Sequence, residues 1–231
     1  DPIIEEELED GEVAEAGEDD ATDESASTEE SDKEESSEET WSKVYKICLI
    51  GLGNPGSKYE HTRHNIGKDW LLRLSNKFSL EFKHKSKFEA DIAESHDGTV
   101  LWVIPSNYVN DSGKTVSKIL RSINLKSENL LVLHDELDLK IGELKLKEDG
   151  GHGGHNGLRD IISRIAKTKF MRLRIGIGHP GSKSEVTNWV LTKFSPIEKE
   201  NIELTYIKFT KIFELILNNE FNAVQKILHT K

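Results

Sequence analysis

Cysteine, methionine, long apolar runs and, at the start of the chain, positive charge are what this sequence has least of. One cysteine, Cys48, in 231 residues excludes a disulfide framework within the chain. No run approaches the roughly 18–20 apolar residues that cross a bilayer as a helix, so no membrane partner is expected. The opening is acidic where a secretory signal is basic, and the only methionine is Met171 in a chain that begins at Asp1. The expectation is a processed or trimmed chain, with any targeting segment already removed. A lone thiol fits a reducing interior, which leaves cytoplasm or an organelle matrix (mitochondrion or plastid).

Charge is divided unevenly. Residues 1–40 hold 20 acids against the single Lys33, a charge of −19, whereas the other 191 residues hold 30 bases and 22 acids, or +8. No aromatic residue precedes Trp41, and a segment so poor in apolar surface does not offset its ordering entropy. The sequence therefore predicts a disordered acidic extension over 1–40 and a folded domain over 41–231. The extension is read first as a solvated tail. Two other readings stand beside it: a polyanion competing with nucleic acid for the basic body, and a phosphorylation segment, because Ser27, Ser31 and Ser36 each have Glu three residues on.

From Trp41 onward the pattern is that of a globular domain. Val44–Gly51 is a short apolar run ending in glycine, as in a buried strand entering a loop. Helical spacing follows over about 66–78, with Trp70, Leu71 and Leu74 on one side. Two extended runs, 88–95 and 99–104, flank Asp97-Gly98, a strong hairpin signal. A helix is predicted over 112–122, a strand over 129–133, a shorter strand over 142–146, a helix from Asn156 to about Lys167 and a strand over 170–177. Ser195-Pro196-Ile197-Glu198 combines a hydroxyl cap, proline in the first turn and Glu three residues after the cap. It opens a long amphipathic helix with Ile207, Ile212, Leu215 and Ile216 among its apolar positions. Strands interleaved with helices predict a single α/β domain with a mixed, mostly parallel sheet flanked by helices.

Four polar clusters remain after core and capping duties are assigned. Gly51-Leu52-Gly53-Asn54-Pro55-Gly56 is followed by Tyr59 and His61-Thr62-Arg63-His64-Asn65. Its glycines match a dinucleotide fingerprint, but Pro55 interrupts and helical periodicity waits until Ile66, so the required strand–glycine–helix junction is missing. Asn107 to Gly113 precedes a helix; Asp111 or Ser112 explains a cap, which leaves two asparagines unassigned. His134-Asp135-Glu136-Leu137-Asp138 stands at the carboxyl end of a buried strand, the edge where open α/β sheets place ligands. Asp149 to Gly157 is rich in glycine, ends at a helix start and carries His152 and His155. Those histidines invite a metal reading, although spacing inside a glycine loop does not fix two imidazoles on one face. No serine or cysteine sits in a nucleophile setting, and Cys48 reads as a small core residue. His64 with a carboxylate partner is the best candidate for activating water, since imidazole accepts its proton while Asp orients the ring. Asparagine amides suit the holding of carbonyls and amides without added charge.

Together these clusters resemble the bacterial-type peptidyl-tRNA hydrolase family, in order, over about residues 45–229. The match runs through Gly51–Gly56 with Tyr59 and Thr62-Arg63-His64-Asn65, then Asn110-Asp111-Ser112-Gly113 and His134–Asp138. It continues through Gly150–Gly157 and Arg172–Pro180. The resemblance implies a monomeric α/β enzyme that hydrolyses the ester between a peptide and the 3′ ribose of tRNA, recycling tRNA from stalled translation without metal or other cofactor. It implies His64 as catalytic base and Asp135 as the acid orienting it. Asn54, Asn110 and Asn156 would hold the peptide and the attacking water, Tyr59 would lie near the tRNA 3′ end, and Lys147 and Arg174 would contact tRNA phosphate; apart from the resemblance, the stacking that grips single-stranded 3′ ends suits Tyr59 and Tyr108. Val109 and Tyr108 depart from the family's usual Met and Phe, which puts the wall under the terminal adenosine or peptide in question.

The residues read from below agree: a body of +8 suits a polyanionic partner, and an activated ester needs only a positioned water, a base and polarising amides. Two other readings stay open: a tRNA- or ribosome-associated binding protein of this fold without catalysis, and a metal-dependent hydrolase built on the glycine-loop histidines.

Overall fold

Strands that are apolar on both faces must be covered on both faces, and this dictates the architecture of residues 43–229, the part described by a computed structural model. The acidic extension expected over 1–40 lies outside the described residues. Ile47–Gly51 (β1) and Leu130–Glu136 (β5) are buried almost throughout and occupy the middle of a seven-stranded sheet of order β2-β3-β4-β1-β5-β7-β6. The others are Lys83–Lys85 (β2), Ala90–Glu94 (β3), Val100–Pro105 (β4), Leu144–Lys147 (β6) and Met171–Gly176 (β7). β4, β1, β5 and β7 are parallel neighbours, while β3 and β6 run against them at either side. The hairpin expected around Asp97-Gly98 is the β3–β4 pair. The mixed, mostly parallel sheet of a single α/β domain is thus present.

Alternation along each strand sorts the core into two layers. Ile47, Leu49, Leu131 and Leu133 face Ile66–Lys77 (α1) and Pro196–Leu217 (α5), whereas Cys48, Ile50, Leu130 and Val132 face Ser112–Ile123 (α2) and Asn156–Ile165 (α3). Cys48 is a core residue, its thiol pushed up by burial and hence inert. Gly67, in the first turn of α1, lies against the Leu133 carbonyl, where a Cβ would collide; its absence brings the segment before α1 onto the end of β5. The capping box at Ser195 forms as expected, with the Ser195 N–H donating to Glu198 at 2.7 Å, and removing such a cap typically costs about 1 kcal/mol.

Several expectations need correction. β1 begins at Ile47, and Val44 is exposed. β5 continues past Leu133, so His134 and Asp135 are strand residues with their backbone fixed. Ile207 lies on the outer side of α5, 42% exposed, because Phe209, Ile212 and Phe213 already fill the sheet-facing stripe. Three short elements had no readable signal: β2, Val186–Val190 (α4) and Phe221–His229 (α6). α4 and α6 are held by contacts with distant segments, while β2 pairs with β3, a few residues on. Gln225 and His229 of α6, for example, bond the main chain of Leu146 on edge strand β6, which protects that edge from pairing with another chain.

Candidate active site

Strand β5 ends in carboxylate and imidazole side chains, and the loop between β1 and α1 crosses directly over it. His64, in a 3-10 turn formed by Arg63–Asn65, thereby meets Asp135: Nδ1 lies 2.8 Å from Asp135 Oδ1. His155 Nε2 lies 2.9 Å from the same oxygen. Hydrogen-bond logic fixes both tautomers. The Leu158 N–H donates to His155 Nδ1 as the helix α3 cap, so His155 carries its proton on Nε2 and donates a hydrogen bond from it to the Asp135 carboxylate. His64 donates through Nδ1 and keeps the Nε2 lone pair for the pocket, a general base already oriented.

Electrostatics favour the same assignment. Burial alone would push the His64 imidazole down, but the charge of Asp135 and its hydrogen bond outweigh burial and hold it above its usual value. Burial also opposes ionisation of Asp135, yet the two imidazoles hold its carboxyl well below the usual range. His134, by contrast, is driven to about 3 by burial and by the neighbouring His155. Its Nδ1 bonds the Asp135 carbonyl at 2.7 Å and its ring packs edge-on against His155, so it is a neutral spacer behind the pair.

The pocket in front of His64 has a volume of about 300 Å³. The structure brings all seven residues expected to catalyse or to hold the peptide and the tRNA 3′ end onto its lining: His64, Asp135, Asn54, Tyr59, Tyr108, Asn110 and Asn156. Asn54 is buried, and its side-chain oxygen accepts from the Val109 N–H at 2.9 Å, leaving its amide nitrogen for the pocket. Asn65 in turn bonds both main-chain groups of Asn54. Asn110 and Asn156 are exposed at the rim. Tyr59 and Tyr108 stand edge-to-face, ring centroids 6.0 Å apart, at the mouth. Val109, buried and touching the position where Gly157 lacks a Cβ, forms wall below them. Asp111 precedes α2 without a side-chain cap bond.

Lys147 and Arg174 lie in an adjoining cleft with Glu136, His152 and Arg172. Pairing of β6 with β7 opposes Lys147 to Arg172 and Lys145 to Arg174, which puts four cations on one sheet face. They are not equivalent. Arg172 is buried and donates to the carbonyls of Gly150, Gly151 and Thr168, so it anchors the glycine loop. Arg174 is not a solvated edge residue: β7 is an interior strand, and its Nε donates to Glu136 at 2.8 Å. Lys147 is exposed.

Two residues escaped sequence reasoning. The role of His155 as a second donor to Asp135 was hidden in a glycine run that looked metal-like, although its place just before a helix start was a cap signal. Arg63, beside His64, gave no signal. As for metal, the ligand atoms of His64, Asp135 and His155 lie within 4.8 Å of one another, but a cation there would have to displace both hydrogen bonds to Asp135. His152 does not join them; its Nδ1 accepts from the Gly154 N–H.

Comparison with known proteins gives one answer. A family model described as peptidyl-tRNA hydrolase matches residues 48–231. A peptidyl-tRNA hydrolase of Marinomonas sp. (strain MWYL1) is 43% identical over 185 residues, 79% of this chain and 95% of that protein. Another, from Mannheimia succiniciproducens, is 45% identical over 175 residues, 74% of this chain and 90% of its own. The crystal structure of peptidyl-tRNA hydrolase from Acinetobacter baumannii is similar with a TM-score of 0.75 at 37% identity, covering 80% of this chain and 95% of that one. A catalytic-looking His–Asp pair at the strand ends of this α/β fold therefore has its context: the chain belongs to the peptidyl-tRNA hydrolase family, enzymes that hydrolyse the ester bond between peptide and tRNA.

Proposed function

We propose that His64 is the general base of this hydrolysis and that Asp135 orients it. The observation that carries the reading is the 2.8 Å contact between His64 Nδ1 and Asp135 Oδ1, which leaves Nε2 free to face the pocket. Water at Nε2 gives up a proton as its oxygen attacks the ester carbonyl; the 3′ oxygen of the terminal ribose then leaves and takes a proton back from the imidazolium. Asp135 stabilises that cation. The amides of Asn54, Asn110 and Asn156 hold the peptide carbonyls and the attacking water, so polarisation comes from neutral donors. Tyr59 and Tyr108 offer faces on which the tRNA 3′ end stacks.

The reading is tested with N-acetylaminoacyl-tRNA against free aminoacyl-tRNA, both with EDTA present. Cleavage restricted to the blocked substrate and indifferent to EDTA is the expected result. Loss of turnover in EDTA, restored by zinc, would move the chemistry to a metal site; RNA binding without cleavage would favour a binding module.

Lys147 and Arg174 are proposed as tRNA phosphate contacts. Removing either should weaken substrate binding and reduce the slope of log affinity against log salt by about one contact's share, roughly 0.7–0.9. Arg174→Ala should weaken binding more than Lys147→Ala, because it also unmasks the carboxylate of Glu136. Filter binding from low to high salt measures both, and unchanged slopes would remove these residues from the interface. The family reading carries a monomer working in the cytoplasm or an organelle matrix; sedimentation and fractionation test these points.

A further inference from the structure

Helix α4 is a wall with little foundation of its own. None of its five residues is fully buried, yet Val186, Thr187, Val190 and the following Leu191 form the apolar side of the reaction pocket. So short a helix is not held by its own backbone bonds. Arg63 supplies the missing support. Its guanidinium is buried, 3.7 Å from the ring centroid of Trp189 in α4 and 4.7 Å from that of Phe194. Nη2 donates to both carboxylate oxygens of Glu198, at 3.0 and 2.8 Å, Nε to Thr192 Oγ1 at 3.1 Å and Nη1 to the Ile177 carbonyl at 3.4 Å. The Arg63 main chain also bonds the Thr192 carbonyl at 2.9 Å, and the Trp189 indole bonds the Gly178 carbonyl at 2.9 Å. One side chain thus joins α4, the loop after β7 and the first turn of α5 to the residue preceding His64.

A buried cation is costly unless it is paired and its donors are used, and here both conditions hold. We infer that Arg63 is a positioning residue that sets the α4 wall against His64 and so fixes the room for the side chain of the amino acid esterified to tRNA. The inference rests on the pocket being the site of the peptidyl ester. Lysine keeps the charge but has neither a flat face to lie between two rings nor the planar spread of donors that reaches Glu198, Thr192 and Ile177 at once, so a charge-conserving change should still loosen the wall.

The test measures kcat and KM separately for Arg63→Lys, Trp189→Ala and Trp189→Phe on N-acetyl-phenylalanyl-tRNA and N-acetyl-glycyl-tRNA, with thermal unfolding alongside. Arg63→Lys and Trp189→Ala should raise KM about tenfold for the phenylalanyl substrate and less than about threefold for the glycyl one, the scale of a reshaped apolar pocket. The acid limb of the kcat–pH profile should not move, and Trp189→Phe, which keeps a ring against the guanidinium, should stay near wild type. Equal losses on both substrates, or a displaced acid limb, would overturn the inference, since either means that Arg63 acts as a general scaffold or on His64 itself. If Arg63→Lys does not fold, the two Trp189 variants decide. A parallel His64→Ala control separates the two levels: a fully active control sinks the reading of the pocket, whereas an inactive control with substrate-independent KM values sinks only the role of Arg63.

Discussion

His64→Ala should lower kcat on N-acetylaminoacyl-tRNA by about 10²–10⁴, the usual contribution of a general base, with a much smaller change in KM. The reason for this asymmetry is that His64 offers the substrate one nitrogen lone pair, which matters once water begins to lose its proton, while the asparagines and the tRNA cleft supply the binding. The protein should remain folded, because the His64 side chain, 14% exposed, belongs to neither apolar core cluster. Single-turnover rates on matched protein, with circular dichroism as the control, make the measurement. Turnover within a few-fold of wild type would take His64 out of the mechanism.

Asp135→Asn should reduce kcat by up to about 10⁴, the size of effect seen when an orienting carboxylate beside a catalytic histidine becomes an amide. The change keeps the shape of a side chain that is 3% exposed but removes the charge that stabilises the imidazolium formed in the transition state. It also distinguishes orientation from mere presence through pH. In the native protein His64 must be neutral to act, and its pKa is raised, so activity should fall as pH drops through a value above the ordinary histidine figure of about 6.5. Without the carboxylate, burial alone remains and pushes the imidazole down, so the acid limb of the variant should move to lower pH. An acid limb at the wild-type position would mean that Asp135 does not control His64.

The same pair makes a stability prediction of definite sign. Asp135 is depressed in the folded state, so its contribution is present above the ordinary Asp value of about 3.9 and is lost as pH falls below it. His64 is raised, so its contribution is present below about 6.5 and is lost as pH rises through the folded value. Denaturant midpoints of wild type and Asp135→Asn should therefore differ most between about pH 4 and 6.5 and converge in stronger acid. A constant difference from pH 2 to 8 would contradict the linkage.

Much of this molecule was legible because its signals are local. Short apolar runs read as buried strands, Asp97-Gly98 is a strong hairpin signal, and Ser195-Pro196-Ile197-Glu198 carries every bond of a capping box within four residues. The five ordered motifs, from Gly51–Gly56 to Arg172–Pro180, carried the resemblance to the peptidyl-tRNA hydrolase family. What stayed illegible depends on partners far away in the chain. α4 has no periodicity because five residues make little more than one turn, and its place is set by an arginine 126 positions earlier. Arg172 and Arg174 look alike in sequence, two residues apart on one strand face, yet one is consumed by three loop carbonyls while the other pairs with Glu136 through Nε alone.

By itself, then, the sequence determined the alternation of strands and helices, the chemical types gathered at the strand ends and the opposition between an acidic beginning and a basic body. These follow from periodicity, capping and charge, each a property of neighbouring residues. Only the tertiary structure decided that two histidines, 91 positions apart, donate hydrogen bonds to one oxygen of Asp135, that Lys145 and Lys147 are the exposed members of the four cross-strand cations and how the α4 wall is tied to the base. Those outcomes require segments distant in the chain to meet within hydrogen-bond reach, and that distance is set by the packing of the sheet and its helices.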